Sequence, residues 1–74
     1  MLRHPIPIPQ RLRAAREQAD ISREEAAAGI NRSFSNLCRY EYGTLCPPPE
    51  VLVNMAALYG VEIGYLCPAL ADAS

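Results

Sequence analysis

The placement of proline constrains this chain most, because proline cannot occupy the interior of a helix. The 74 residues contain seven prolines in three groups, at positions 5, 7 and 9, at positions 47–49 and at position 68. The first group predicts an extended, proline-rich N-terminal arm over residues 1–10. One helical domain is predicted over residues 11–67, interrupted at the second group, and residues 68–74 are a short tail.

The first helix follows the arm and carries one unusual residue on its inner side. Leu12, Ala15, Arg16 and Ala19 fall on one helical face, and Asp20 tolerates the left-handed conformation that ends helices. An Arg on an apolar face needs an internal partner, unless its side chain extends to solvent.

Two short helices with clear start signals come next. Ser22 and Glu25 have the spacing of a capping box, which predicts a second helix over about residues 22–30. Ser33 is the predicted N-cap of a third helix, over residues 33–42. Two short helices separated by about three residues are the helix-turn-helix arrangement.

The C-terminal half predicts two further helices. Pro49 can occupy a first helical turn, and the helix that follows has one apolar side and is closed by Gly60; that side holds Leu52, Met55, Ala56 and Tyr59. The segment "VEIGYLCP" adds one or two turns. The predicted class is all-α, with five short helices.

The third helix has an unusually polar outer side. At about 100° per residue, Ser33, Leu37 and Tyr40 face the core. The other side holds Phe34, Ser35, Cys38, Arg39 and Tyr42, with Asn36 at the flank. These side-chain types can read base edges in the major groove of DNA. The alternatives are a merely solvated helix, and a Phe34 that folds back onto the core.

Charge is distributed unevenly along the chain. The net charge is −1, but all seven basic residues are Arg and lie between Arg3 and Arg39, whereas residues 44–74 contain none. The N-terminal half is therefore basic, and Arg favours forked contacts to phosphate and guanine.

The residues needed for other functions are scarce. With three widely spaced Cys and the single histidine His4, neither a zinc site nor another cofactor is expected. No catalytic set is recognisable, so the chain is not predicted to be an enzyme. Cys46 and Cys67 are expected to pack as small apolar residues, whereas an outward Cys38 leaves a redox role open.

Nothing in the sequence predicts export or membrane insertion. The longest apolar runs are shorter than a membrane span, and the prolines interrupt the N-terminal segment where a signal peptide would need an apolar stretch. We expect a cytoplasmic protein.

Four segments, in order and without a gap from about Leu12 to Leu66, resemble the phage-repressor and Cro type of helix-turn-helix protein, the Xre family. They are "RLRAAREQADIS", "SREEAAAGIN", "CRYEYGTLCP" and "LYGVEIGYL". The resemblance implies a compact, five-helix, lambda-repressor-like DNA-binding domain. It also implies that the third helix lies in the major groove, while the start of the second helix contacts the DNA backbone.

The resemblance also assigns roles to individual residues. The implied DNA-binding set is Arg23, Arg32, Ser33, Phe34, Ser35, Asn36, Arg39 and Tyr42. Arg16 and Glu41 match positions that form an internal ion pair in some family members, and we expect that pair to be partly solvated. Asn31 stands where the family usually has the turn glycine. Arg32 replaces a small apolar residue, which implies either a looser turn or an added phosphate contact. Arg23 replaces the usual Gln and strengthens the phosphate contact of that position.

An apolar C-terminal cluster predicts a homodimer. Ile63, Tyr65, Leu66 and Leu70 are close in sequence, and a chain this small cannot bury all of them comfortably. The family often dimerises through this end, so a palindromic operator in double-stranded DNA is the expected partner.

The leading hypothesis is a sequence-specific DNA-binding transcriptional regulator, with repression favoured over activation. It would be of bacterial or phage origin and nucleoid-associated when bound. One alternative is an antitoxin that autoregulates a toxin-antitoxin operon, with a toxin as its protein partner. The other is a protein-interaction module that has lost DNA binding.

Overall fold

The structure is a computed structural model that describes residues 8–68. This part of the chain contains five helices and no strand: α1 Ile8–Gln18, α2 Arg23–Gly29, α3 Phe34–Tyr42, α4 Pro49–Tyr59 and α5 Ile63–Leu66. The predicted all-α class and number of helices are confirmed within this range.

The first helix begins earlier than the sequence predicted. α1 starts at Ile8, so the extended arm predicted over residues 1–10 is wrong for residues 8–10. Pro9 is tolerated because the first N–H groups of a helix have no partner within the helix. Its ring also packs close to Gly43, where an added Cβ would lie 3.2 Å from Pro9 Cγ. Residues 1–7 lie outside the described part of the chain.

The second helix is fixed at both ends by local contacts. Ser22 Oγ accepts a hydrogen bond from the backbone N–H of Glu25 at 3.1 Å, and Glu25 Oε1 accepts one from the N–H of Ser22 at 2.9 Å. The predicted capping box is therefore confirmed. At the other end Gly29 allows close approach of α4, because an added Cβ would lie 2.8 Å from Leu58 Cδ2.

Two non-glycine residues reverse the chain between helices. Asp20 after α1 has φ +61°, and Asn31 between α2 and α3 has φ +59°. Asn and Asp tolerate this left-handed conformation better than other non-glycine residues. Asn31 thus makes the tight turn between α2 and α3 without the glycine that is usual in the family.

One core joins all five helices. α1 contacts α3, α4 and α5, while α2 packs against α3 and α4. The largest side chains with almost no exposed surface are Leu12, Ile30, Leu37, Met55, Leu66, Glu41 and Val51. Tyr40 and Tyr59 are buried as predicted. Arg16 and Glu41 are the buried charged residues of residues 8–68.

Leu66 belongs to this core and not to a subunit interface. Its side chain has no exposed surface, so its predicted role in a dimer contact is wrong. Of the other predicted interface residues, Tyr65 is 40% exposed and Ile63 is half-buried against the core. Leu70 lies outside the described residues. Among the described residues of this end, up to position 68, the exposed apolar surface is therefore smaller than the sequence suggested.

Two smaller expectations were also wrong. Ser33 does not face the core, because as N-cap it lies outside the helical phase and is exposed. Cys46 is exposed instead of packing as an apolar residue, while the neighbouring Pro47 is buried. Cys67 is half-buried against the core, as expected of a small apolar residue.

Candidate nucleic-acid interface

The third helix is held firmly at both ends. Ser33 Oγ accepts a hydrogen bond from the backbone N–H of Asn36 at 3.0 Å. Gly43 ends the helix in the left-handed conformation, with φ +87°, and its N–H donates to the Arg39 carbonyl at 2.9 Å. Leu37, Tyr40 and Glu41 anchor the inner side of α3 in the core. The opposite side of the helix is consequently presented in a fixed orientation.

The outer side of α3 carries the side chains that the helical periodicity placed there. Phe34 is 47% and Tyr42 64% exposed, and Ser35 and Arg39 are also exposed. Asn36 and Cys38 are half-buried at the edges of this surface. Phe34 therefore does not fold back into the core. A planar cation, a hydroxyl, a phenol and an aromatic ring together can read base edges and contact phosphates.

Behind this surface, Glu41 accepts hydrogen bonds from two arginines. Arg16 Nε donates to Glu41 Oε2 at 2.6 Å, and Arg16 Nη2 donates to Oε1 at 3.3 Å. Arg23 Nε also donates to Oε1, at 3.3 Å. We call Arg16, Glu41 and Arg23 the Arg–Glu–Arg triad; it joins α1, α2 and α3.

The Arg16–Glu41 pair of this triad is more buried than the sequence suggested. The side chains of Arg16 and Glu41 are 8% and 0% exposed, so the expectation of partial solvation is wrong. Arg16 also donates from Nη1 to the Ile21 carbonyl at 2.9 Å. The hydrogen bond to Glu41 raises the pKa of Arg16 despite the opposing effect of burial. The pair is thus a hydrogen-bonded link between α1 and α3 inside the core.

Tyr59 lies in the same part of the core. Burial, and secondarily the charge of Glu41, raises the pKa of Tyr59 to about 12. Its hydroxyl has no hydrogen-bond partner within residues 8–68. Tyr59 therefore stays neutral and gives no sign of acid–base chemistry.

The arginines divide into internal and surface groups. Arg11, which sequence reasoning did not single out, donates from Nη1 to the Tyr65 carbonyl at 2.8 Å, with its guanidinium carbon 5.7 Å from the Tyr65 ring centre. This contact ties α1 to α5. Arg32 is half-buried and donates to the Asn31 carbonyl at 3.2 Å, while Arg39 is exposed.

Comparison with known proteins shows the family to which the chain belongs. The family model of the helix-turn-helix domain matches residues 10–64. The chain belongs to the helix-turn-helix domain family. This match covers α2, the turn and α3, and it confirms the predicted Xre-type resemblance.

Two relatives illustrate the similarity. The chain is 35% identical over 57 residues to the HTH-type transcriptional regulator ImmR of Bacillus subtilis (strain 168), covering 77% of the chain and 45% of the relative. It is 36% identical over 56 residues to the cryptic phage CTXphi transcriptional repressor RstR of Vibrio cholerae, covering 76% of the chain and 50% of the relative. The chain thus spans about half the length of these relatives.

The helices themselves give no sign of a membrane segment. Between residues 8 and 68, every helix is too short or too polar to cross a bilayer.

Proposed function

We propose that the protein is a sequence-specific DNA-binding transcriptional regulator and acts as a repressor, with α3 in the major groove. The main support is the outer side of α3, which is polar and aromatic, exposed, and rigidly held beside the start of α2. The names of the two relatives, a transcriptional regulator and a transcriptional repressor, support the same proposal. The protein would be of bacterial or phage origin, cytoplasmic and nucleoid-associated when bound to DNA, and it would have no enzymatic activity.

Each exposed residue of this surface receives a role from its chemistry. Arg39 reads guanine, Phe34 contacts a thymine methyl group, and Ser35 and Asn36 bond to base edges. Phosphate contacts come from the residues around this surface: Arg23, Arg32, Ser33 and Tyr42. The overall charge of −1 does not oppose this assignment, because the charge is unevenly distributed. All seven arginines lie between Arg3 and Arg39, and residues 44–74 contain no basic residue.

We further propose that the protein binds a palindromic operator as a homodimer. Two symmetric subunits would place their α3 helices in successive major grooves, about 34–36 Å apart. Tyr65 and Ile63 are the remaining contact candidates among the described residues, because Leu66 is buried within its own subunit. A dimer also doubles the number of phosphate contacts.

The salt dependence of DNA binding tests this function directly. If each subunit neutralises about three phosphates, a dimer neutralises about six, and log affinity should fall with log salt at a slope of about −5. Affinity for duplex DNA would be measured by fluorescence anisotropy over a range of salt concentrations. A slope shallower than about −2 would show that the arginine-rich surface does not bind DNA. A complete lack of binding at low salt would favour a protein-interaction module.

Arg39 should contribute more to the preference for the operator sequence than to the affinity for DNA in general. A forked contact from Arg to guanine O6 and N7 contributes about 1–3 kcal/mol of discrimination. Arg39→Ala should therefore relax the preference at one position of each half-site and leave binding to scrambled duplex nearly unchanged. Binding sites selected from random DNA would first give the operator, and the variant would then be measured on operator and scrambled duplex.

Arg32→Ala is the matched control for Arg39→Ala. It removes the same charge from a proposed phosphate contact, so it should weaken binding about equally on both duplexes and reduce the salt slope. If Arg39→Ala behaves like this control, Arg39 contacts phosphate and does not read a base.

A further inference from the structure

The Arg–Glu–Arg triad contains more positive than negative charge. Two guanidinium groups share one carboxylate, so the triad carries a net charge of +1. Arg16 makes the shorter contact, at 2.6 Å, and makes it with an almost fully buried side chain. Arg23 lies at 3.3 Å from the same carboxylate, and its side chain is 38% exposed. The buried Arg16 therefore compensates Glu41, and the surplus positive charge lies with Arg23 at the surface.

The contact to Glu41 uses only the inner nitrogen of Arg23. Nε donates to Glu41 Oε1, and Arg23 forms no other side-chain hydrogen bond within residues 8–68. Both terminal nitrogens are therefore available to another acceptor. A guanidinium held at Nε has lost most of its rotational freedom before any ligand arrives, which lowers the entropic cost of a further contact. The two terminal nitrogens can bind a phosphate, because a phosphate accepts two parallel hydrogen bonds from Arg.

The three helices give this contact a defined position. Arg23 is the first residue of α2, while Glu41 lies near the end of α3, the helix proposed to enter the major groove. Arg16 fixes Glu41 from α1. A single carboxylate thus sets where the guanidinium of Arg23 lies relative to the outer side of α3.

We infer that Glu41 is a positioning residue for DNA binding: it holds Arg23 so that its terminal nitrogens grip one backbone phosphate. This inference rests on the proposed function and adds a role to a residue that is itself inaccessible to DNA. Through Glu41, the phosphate contact from α2 is kept in register with the base contacts from α3.

Variants of Arg23 test the inference without disturbing the buried Arg16–Glu41 pair. Arg23→Ala should lower the salt slope by about 0.9 per lost phosphate contact, or about 2 for a dimer. Between about 50 and about 200 mM salt, the wild type should therefore lose about tenfold more affinity than Arg23→Ala. Arg13→Ala is the matched control, because it removes one charge from α1 and leaves the triad intact; it should keep the wild-type slope.

Arg23→Lys distinguishes the effect of a guanidinium held in position by Glu41 from the effect of a positive charge alone. A single ammonium cannot donate through one nitrogen to Glu41 and through two others to a phosphate in the way a guanidinium can. If Glu41 positions Arg23, the Lys variant should bind DNA nearly as weakly as Arg23→Ala. If charge alone matters, the Lys variant should bind like the wild type, and this result would overturn the inference while the proposed function stands.

A spectroscopic measurement gives a readout that does not depend on DNA binding. In ¹⁵N-labelled protein the Nε–H of Arg23, assigned with Arg23→Lys, should exchange slowly with water, because it donates to Glu41. In Glu41→Gln, measured at a temperature at which that variant is folded, this proton should exchange faster than in the wild type, because a neutral amide oxygen accepts more weakly than a carboxylate. Adding Arg23→Ala should then reduce the affinity of Glu41→Gln less than it reduces that of the wild type. Fast exchange in the wild type would refute the inference. Failure of the wild type to bind DNA at low salt would instead refute the proposed function, so the two failures are distinguishable.

Discussion

Replacing Glu41 by alanine should lower the free energy of unfolding by about 3–5 kcal/mol, because it leaves the buried charge of Arg16 without its partner. The side chains of Glu41 and Arg16 are 0% and 8% exposed, so little water reaches Arg16 to replace the carboxylate. Small domains are stable by only about 5–15 kcal/mol, so this loss would remove a large fraction of the total stability. Urea denaturation followed by circular dichroism would measure the change.

Glu17→Ala is the control for this measurement. Glu17 also lies near Arg16, at 3.9 Å, but its side chain is 62% exposed. An exposed pair contributes only about 0–1 kcal/mol, so this variant should unfold close to the wild-type midpoint. Equal midpoints for Glu41→Ala and the wild type would mean that Arg16 finds another acceptor and that the pair does not stabilise the fold.

The contrast between Arg16 and Arg23 shows how far sequence reasoning reaches in this site. Arg16 lies on an apolar helical face, which indicates an internal partner, and the family resemblance identified Glu41. No feature of the sequence indicated the second contact of Glu41, which is the one with Arg23. Arg23 follows a cap at the start of α2, where helical periodicity says nothing about distances to the end of α3. Only the packing of three helices brings both arginines to one carboxylate.

The sequence also did not predict how deeply individual side chains are buried. A short chain suggests a shallow core, yet Glu41 has no exposed surface, because Arg16 and Arg23 approach it from α1 and α2. Likewise, Leu66 belongs to an apolar cluster that suggested an interface, but a helix as short as α5 can direct one side chain entirely inward. Its neighbour Tyr65 remains 40% exposed.

Local signals were more reliable where they determine backbone geometry. The capping box of Ser22 and Glu25 and the N-cap Ser33 were predicted and fix the starts of α2 and α3, whereas the closing role of Gly43 was not predicted. The prolines at positions 47–49 correctly predicted the interruption between α3 and α4. Those of the first group misplaced the start of α1, since the rule that excludes proline from helices does not apply to the first turn, where Pro9 lies.

Leu66→Ala should cost about 2–5 kcal/mol of folding stability, because it removes a fully buried side chain and leaves a cavity between α5 and the rest of the core. Tyr65→Ala is the matched control. It keeps the backbone carbonyl that accepts from Arg11, and the contact of the Tyr65 ring with that guanidinium, which it removes, contributes about 0.5–1 kcal/mol at an exposed site.

The two variants should also differ in how their effects depend on protein concentration. A dimer gains stability with concentration, so unfolding would be measured at concentrations about tenfold apart, together with sedimentation. Tyr65→Ala should weaken association and keep a stable subunit, whereas Leu66→Ala should lower the midpoint at both concentrations. If instead Leu66→Ala yielded stable monomers whose midpoint no longer rises with concentration, Leu66 would contact a second subunit and not its own core.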